Sequence, residues 1–135
     1  MNVLGLGSEI VECLRIARMI ERHGELFLNR VFTPQEIRFC MSRRHATQAY
    51  AGRYAAKEAV FKALGIQRGP GLRWLDLDLR EETPGKVTVG MRGGVRDAVI
   101  ERGAREIMVT IAHCRSHATA TAIVLGTELK LPDDE

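Results

Sequence analysis

The segment spanning residues 46–65, ATQAYAGRYAAKEAVFKALG, constrains this chain more than any other. It is rich in strong helix formers, has no proline, and ends on Gly65, a residue suited to stopping a helix. On a helical wheel Tyr50, Tyr54 and Phe61 share one side, and Ala56, Val60 and Ala63 share the other. A helix apolar nearly all round belongs inside a core, with the rest of the chain packed around it. Two polar pairs interrupt it: Arg53 with Lys57, and Glu58 with Lys62, each one turn apart. Ala51 and Ala55 beside the second pair are small, which predicts room for a non-protein group next to a carboxylate and an amine. The same spacing also fits an i,i+4 ion pair on a solvated edge, contributing about 0.3 kcal/mol.

The flanking sequence supplies the partners of this helix. Val3, Leu4 and Leu6 read as a short opening strand, where Gly5 and Gly7 allow another backbone or a ligand to come close. GLGSEIVE lacks the last glycine of GxGxxG, so it is not a dinucleotide fingerprint. Residues 12–23 read as a helix ended by Gly24, with Cys13, Ile16, Ala17 and Ile20 buried and Arg15, Arg18 and Arg22 on another face. Thr33-Pro34-Gln35-Glu36 is a capping box with proline at the first helical position, opening a helix to about Met41. Residues 75–80 alternate leucine with polar side chains and read as a half-buried strand. After a turn at Thr83-Pro84-Gly85, Val87, Val89 and Met91 form the returning strand. Gly93-Gly94 opens a short helix through Arg102, and strands follow around Ile107–Ile111 and over 118–125. The order predicts an α+β fold with an antiparallel sheet on the long central helix. The chain is read as a single domain over 1–135, with 128–135 as a frayed acidic tail.

AGRYAAKEAVFKALG resembles the signature helix of the holo-acyl-carrier-protein synthases, the small class of 4'-phosphopantetheinyl transferases. Tyr54, Ala55, Ala56, Lys57, Glu58, Ala59, Lys62, Ala63 and Gly65 carry the match. The opening GLGSEIVE resembles the family's first motif at Gly5, Gly7, Ile10 and Glu12, with Glu9 where the family has aspartate. AHCRSHATATAIV resembles its closing motif at His113, with Ala112 where a serine is usual. The resemblance runs from Gly5 to about Val124 and implies the 4'-phosphopantetheinyl transferase fold and a homotrimer with sites between subunits. It also implies a reaction. The phosphopantetheine arm of coenzyme A moves to a serine of apo-acyl carrier protein in fatty acid biosynthesis, leaving adenosine 3',5'-bisphosphate.

The residue types suit that chemistry. A pyrophosphate under attack gathers charge that a divalent cation can neutralise, and magnesium takes a few carboxylates with waters and phosphate oxygens. The resemblance implies Glu9 and Glu58 as the magnesium ligands. Lys62 would hold the phosphates, and Glu58 would also serve as base for the carrier serine. It further implies Arg53, Lys57, Gly65 and His113 beside coenzyme A, with the acidic carrier docking on Arg15, and by geometry Arg18 and Arg22. A second reading, motivated by Glu9 and Ala112, keeps the fold as a non-catalytic binder of coenzyme A or an acidic protein.

Composition excludes other classes. The net charge is +3, but residues 128–135 hold four acids and one base, so the rest carries 19 bases, 13 acids and a net +6. A basic body suits a phosphorylated ligand or an acidic partner. Nucleic acid is not expected: aromatics make up 5% of the chain and no groove-reading motif is present. No apolar run reaches the roughly 20 residues of a membrane span, and the N-terminus lacks a basic signal-peptide region, which predicts a cytoplasmic location without membrane association. Cys13, Cys40 and Cys114 are odd in number, widely spaced and without CxxC, which predicts reduced thiols. Cys114 and His117 alone lack a metal ligand set.

Overall fold

The computed structural model describes residues 1–67 and 69–127. The expected tail, 128–135, lies outside the described residues. Strand β1 (Asn2–Glu12) leads into helices α1 (Cys13–His23), α2 (Glu25–Val31), α3 (Pro34–Ser42) and the long α4 (Ala46–Leu64). Strands β2 (Leu77–Thr83) and β3 (Lys86–Met91), helix α5 (Gly93–Glu101) and strands β4 (Ala104–His113) and β5 (His117–Gly126) complete the order. The five strands form one sheet in the order β1-β5-β4-β3-β2, antiparallel at every pairing.

The sheet packs on α4 through its β1, β5 and β4 strands. From Ala49 to Leu64 every residue of α4 is buried except Glu58 and Lys62. Its aromatic side packs ring against ring: Phe32 on Tyr50 and Tyr54 on Trp74, both tilted with ring centroids 5.0 Å apart, and Phe61 edge-on to Trp74 at 6.0 Å. Ala51 and Ala55 are completely buried. Their small side chains therefore admit the surrounding protein rather than a ligand, which corrects the room expected there. Gly65 stops the helix in the left-handed conformation with φ 67°, as its sequence position requires.

Two glycines fix β1. A Cβ on Gly5 would stand 1.8 Å from the carbonyl oxygen of Ala63, and one on Gly7 would stand 2.2 Å from that of Ala59. Strand backbone therefore lies directly on helix backbone, an approach that only glycine permits. The strand is far longer than its opening hydrophobics suggest, because its pairing with β5 continues from Asn2 to Glu12.

Three other elements differ from expectation. The segment after Gly24 is a separate helix, α2, which exposes Leu26 and buries Phe27. The strand expected over 75–80 begins only at Leu77, because Trp74–Asp76 is a 3-10 turn. There Asp76 turns inward, its Oδ2 accepting from the Arg73 amide at 3.3 Å and the Val95 amide at 3.4 Å. The capping box at α3 forms as read, but its glutamate does more than cap, as described next. No helix among the described residues is long and apolar enough to cross a membrane.

Candidate active site

Glu58 and Lys62 break the burial of α4 on the side where β1 lies, and β1 delivers Glu9 to the same place. The Lys62 Nζ is 3.0 Å from Glu9 Oε2 and donates to the Ser8 carbonyl at 3.2 Å. Glu9 Oε1 curls back to accept from the Ile10 amide at 3.2 Å, and the Glu58 carboxyl stands within hydrogen-bonding reach of Glu9. Partial burial pushes the Glu9 carboxyl up, but the hydrogen bonds from Lys62 and Ile10 and the Lys62 charge outweigh it and hold Glu9 below the usual carboxylate range. Two carboxylates so close repel one another unless cations lie beside them. Lys62 supplies one positive charge, and the open side of the pair, where the Lys62 side chain is 56% exposed, faces solvent. A donor set of two carboxylates with room for water and phosphate oxygens fits magnesium.

The remaining sequence-derived residues divide sharply. Lys57 is not available to coenzyme A, contrary to expectation. It is completely buried, with its Nζ 2.7 Å from Glu36 Oε1 and donating to the Val31 carbonyl at 2.7 Å and the Trp74 carbonyl at 3.1 Å. An ammonium has three hydrogens, and all three are taken. Glu36 is equally occupied: Oε1 also accepts from the Thr33 amide at 2.7 Å, and Oε2 from the Leu79 amide at 2.8 Å. This pair ties α3, α4 and β2 together and was not visible in the sequence beyond the cap.

Arg53 is 4% exposed and lies over the Phe39 ring, 3.9 Å from its centroid, with Nη2 3.9 Å from Glu81 Oε1. Among the described residues its Nε and Nη2 find no hydrogen-bond partner, which is rare for buried donors. His113 sits elsewhere, exposed, with Nδ1 3.1 Å from Gln48 Oε1 at the opposite end of α4. Register places it two strands over from Glu9 and two residues along, roughly 12 Å away by strand geometry. One chain therefore joins Glu9, Glu58 and Lys62 but does not bring Arg53 and His113 to them. Gly65 lies just beyond Lys62, exposed, with none of the described residues, its chain neighbours aside, placing an atom within 4 Å of where its Cβ would be.

Arg15, Arg18 and Arg22 are all exposed on α1. The Arg15 guanidinium stands 5.8 Å from the Tyr54 ring centroid, and Tyr54 lines an adjoining cavity of about 420 Å³ with Met19, His23, Leu26, Arg30 and Trp74. This cavity escaped the sequence reading because α2 did. The available signal was Glu25 in the first turn and Arg30 in the last turn of a short amphipathic segment after Gly24.

The comparisons with known proteins agree with this architecture. The sequence profile of the 4'-phosphopantetheinyl transferase superfamily matches residues 5–122. A holo-acyl-carrier-protein synthase of Koribacter versatilis is 38% identical over 122 residues, covering 90% of this chain and 98% of the relative. One of Moorella thermoacetica is 41% identical over 122 residues, covering 90% of this chain and 94% of the relative. Among solved structures, Helicobacter pylori holo-acyl-carrier-protein synthase in complex with coenzyme A superposes with a TM-score of 0.78 at 26% identity, covering 89% of this chain and 99% of that one. The buried signature helix, the glycine-seated first strand and these matches over nearly the whole length show that the chain belongs to the 4'-phosphopantetheinyl transferase superfamily.

Proposed function

We propose that this transferase moves the 4'-phosphopantetheine arm of coenzyme A to a serine hydroxyl of an apo-acyl carrier protein, with magnesium, in fatty acid biosynthesis. The observation that carries the reading is the convergence of Glu9, Glu58 and Lys62 at the one break in the burial of α4. Glu9 and Glu58 would hold the cation, which when bound supplies charge neutralisation for the pyrophosphate. Glu58 takes the proton from the carrier serine as its oxygen forms the bond to phosphorus. The bond from that phosphorus to the bridging oxygen breaks, and adenosine 3',5'-bisphosphate leaves. Lys62, exposed at the mouth of the site, donates hydrogen bonds to the phosphate and protonates the departing oxygen.

Other parts of the surface support the partners. The exposed arginines of α1 and the apolar cavity beside them suit an acidic helix presenting a few apolar side chains. The unpartnered donors of Arg53 and the exposed ring of His113 suit phosphate, with the Phe39 and Glu81 side chains displaced to reach Arg53. A homotrimer is supported by the sheet face turned away from α4. There Leu6, Ile123 and Met108 align across three strands, then Ser8, Thr121 and Thr110, then Ile10, Thr119 and Ala112, without one charge. Leu6, Ile10 and Met108 are each more than half exposed. Association through that face would let His113 of one copy complete the cluster of another.

The test is direct. Apo-carrier mixed with coenzyme A and magnesium gains the mass of one phosphopantetheine, and light scattering reports three chains per particle. Glu58→Gln, which keeps volume and removes charge, is expected to lower kcat at least about 100-fold without unfolding the protein. A Gln variant of normal activity would remove Glu58 from the reaction.

A further inference from the structure

The fold brings together two of the three cysteines that the sequence leaves far apart. Cys13, the first residue of α1, is 5% exposed, and its Sγ lies 3.8 Å from the carbonyl oxygen of Cys114. Its amide donates to the Ser116 carbonyl at 2.9 Å, and the Cys114 amide donates to the His117 carbonyl at 2.9 Å. Both cysteines are therefore pinned to one short turn between β4 and β5. The Cys114 side chain is exposed, with Sγ 3.5 Å from Ser116 Oγ, which in turn is 2.9 Å from His117 Nδ1. A cleft of about 630 Å³ opens beside the pair, bordered by Cys13, Arg44, His45, Arg115, Ser116 and His117.

We propose that Cys114 is an oxidant-reactive thiol resolved by Cys13, so that a reversible disulfide closes between the head of α1 and the β4–β5 turn. The arrangement has the parts that such a pair needs: an accessible sulfur, a hydroxyl and an imidazole relayed to it, and a second sulfur in reserve behind it. The Ser116 hydroxyl and then the amides of His117 and Ser116 hold the Cys114 thiol below its ordinary range, while burial and the neighbouring Cys114 push Cys13 up. The exposed cysteine is thus the one that reacts first. Cys40 takes no part, since it is fully buried and burial pushes its thiol up to about 12.

The chemistry balances with a peroxide as oxidant. The Cys114 sulfur attacks one oxygen of hydrogen peroxide, the O–O bond breaks, and water leaves as a sulfenic acid forms. The Cys13 sulfur then attacks the Cys114 sulfur, gives up its proton, and displaces the hydroxyl as a second water. Two thiols lose two electrons and the peroxide becomes two waters. A disulfide wants Cα atoms roughly 4.4–6.8 Å apart. The Cys13 sulfur lies 3.8 Å from the Cys114 carbonyl oxygen, and rotation of the exposed Cys114 side chain away from Ser116 would carry its sulfur toward Cys13. Both thiols lie outside the Glu9–Glu58–Lys62 cluster, so the disulfide closes whatever the substrate of that cluster.

Exposing the intact folded protein to hydrogen peroxide, followed by non-reducing peptide mass spectrometry, tests it. The expected product joins the Cys13 and Cys114 peptides within one chain, two hydrogens lighter, reverts with dithiothreitol, and leaves Cys40 reduced. Without oxidant, Cys114 is expected to alkylate at least about tenfold faster than Cys13. Cys13→Ser should stop at a Cys114 sulfenic acid trapped by dimedone, and Cys114→Ser should leave Cys13 reduced over the same exposure. Over-oxidation of Cys114 with Cys13 untouched in the wild-type protein, linkage only between different chains, or equal reactivity of the two thiols would each overturn the assignment.

Discussion

Lys57 and Lys62 stand five positions apart on one helix, and each faces a glutamate from another element. The Lys57–Glu36 pair, at 2.7 Å, is closed to water on both sides. The Lys62–Glu9 pair, at 3.0 Å, has a side chain 56% exposed on the lysine and 19% on the glutamate. The chemistry of the two pairs is the same and their surroundings decide their use. Inside, all three ammonium protons and both carboxylate oxygens are matched to fixed partners, so the charges hold elements together and can do nothing else. Outside, Lys62 keeps a small contact that water can replace, and so can turn to a phosphate. A buried pair needs a complete set of partners to offset the loss of water, whereas an exposed pair is held weakly and is free to exchange.

The largest effect expected from this contrast follows from breaking the inner pair. Lys57→Met leaves the Glu36 carboxylate buried without its cation, and should cost about 3–5 kcal/mol of stability in urea unfolding. Adding Glu36→Gln should recover at least about 1 kcal/mol of that, since no bare charge then remains. A Lys57→Met protein as stable as the wild type would mean that water reaches the pair. The next effect falls on catalysis. Lys62→Met should change stability by less than about 1 kcal/mol yet lower kcat/KM about 100-fold, roughly 2.7 kcal/mol of barrier. The reverse pattern, lost stability with kept activity, would make the outer pair structural as well.

The same two lysines show what was legible in the sequence. The central helix, its Gly65 stop, the Thr33–Glu36 capping box and the close approach at Gly5 and Gly7 all follow from local rules of propensity, capping and steric room. The helical wheel does not say which lysine faces water. That is decided by Glu36, Val31 and Trp74, which reach Lys57 from three other segments. The full length of β1 was likewise set by its partner β5, and the meeting of Cys13 with Cys114 by a turn 101 positions away. Glu58 stands out beside Lys62 at helical spacing, but Glu9 and its meeting with Glu58 follow only from the family resemblance, since two acids 49 positions apart carry no local pattern. Long-range pairing is the common cause in each case.

A smaller effect tests whether exposed charge on α1 acts outward as Lys62 does. Arg15→Glu reverses an exposed charge whose guanidinium lies over the Tyr54 ring, 5.8 Å from its centroid, so folding should be kept. The KM for carrier should rise about tenfold, with that for coenzyme A nearly unchanged, and added salt should weaken carrier binding by the wild-type protein. Carrier kinetics indifferent to both the reversal and the salt would move docking off α1.

The smallest effect concerns the glutamate of the outer pair. Glu9 stands where the family has aspartate, one methylene shorter, and Glu9→Asp restores the family residue. Two observations bear on the outcome. The Glu9 side chain curls back so that one oxygen meets the Ile10 amide at 3.2 Å, while the other reaches Lys62 at 3.0 Å. Meanwhile β1 cannot move toward α4 to help a shorter acid, because Gly5 and Gly7 already bring backbone onto backbone. An aspartate can keep the neighbouring amide but falls short of Lys62, and magnesium holds its ligands near roughly 2.1 Å with little tolerance. Activity titrated with magnesium should therefore require a concentration about threefold higher in Glu9→Asp, under 1 kcal/mol of binding. Equal or tighter magnesium dependence would show that the curled glutamate already sets its carboxylate where an aspartate would, and that the contact with Lys62 contributes nothing to the proposed metal site.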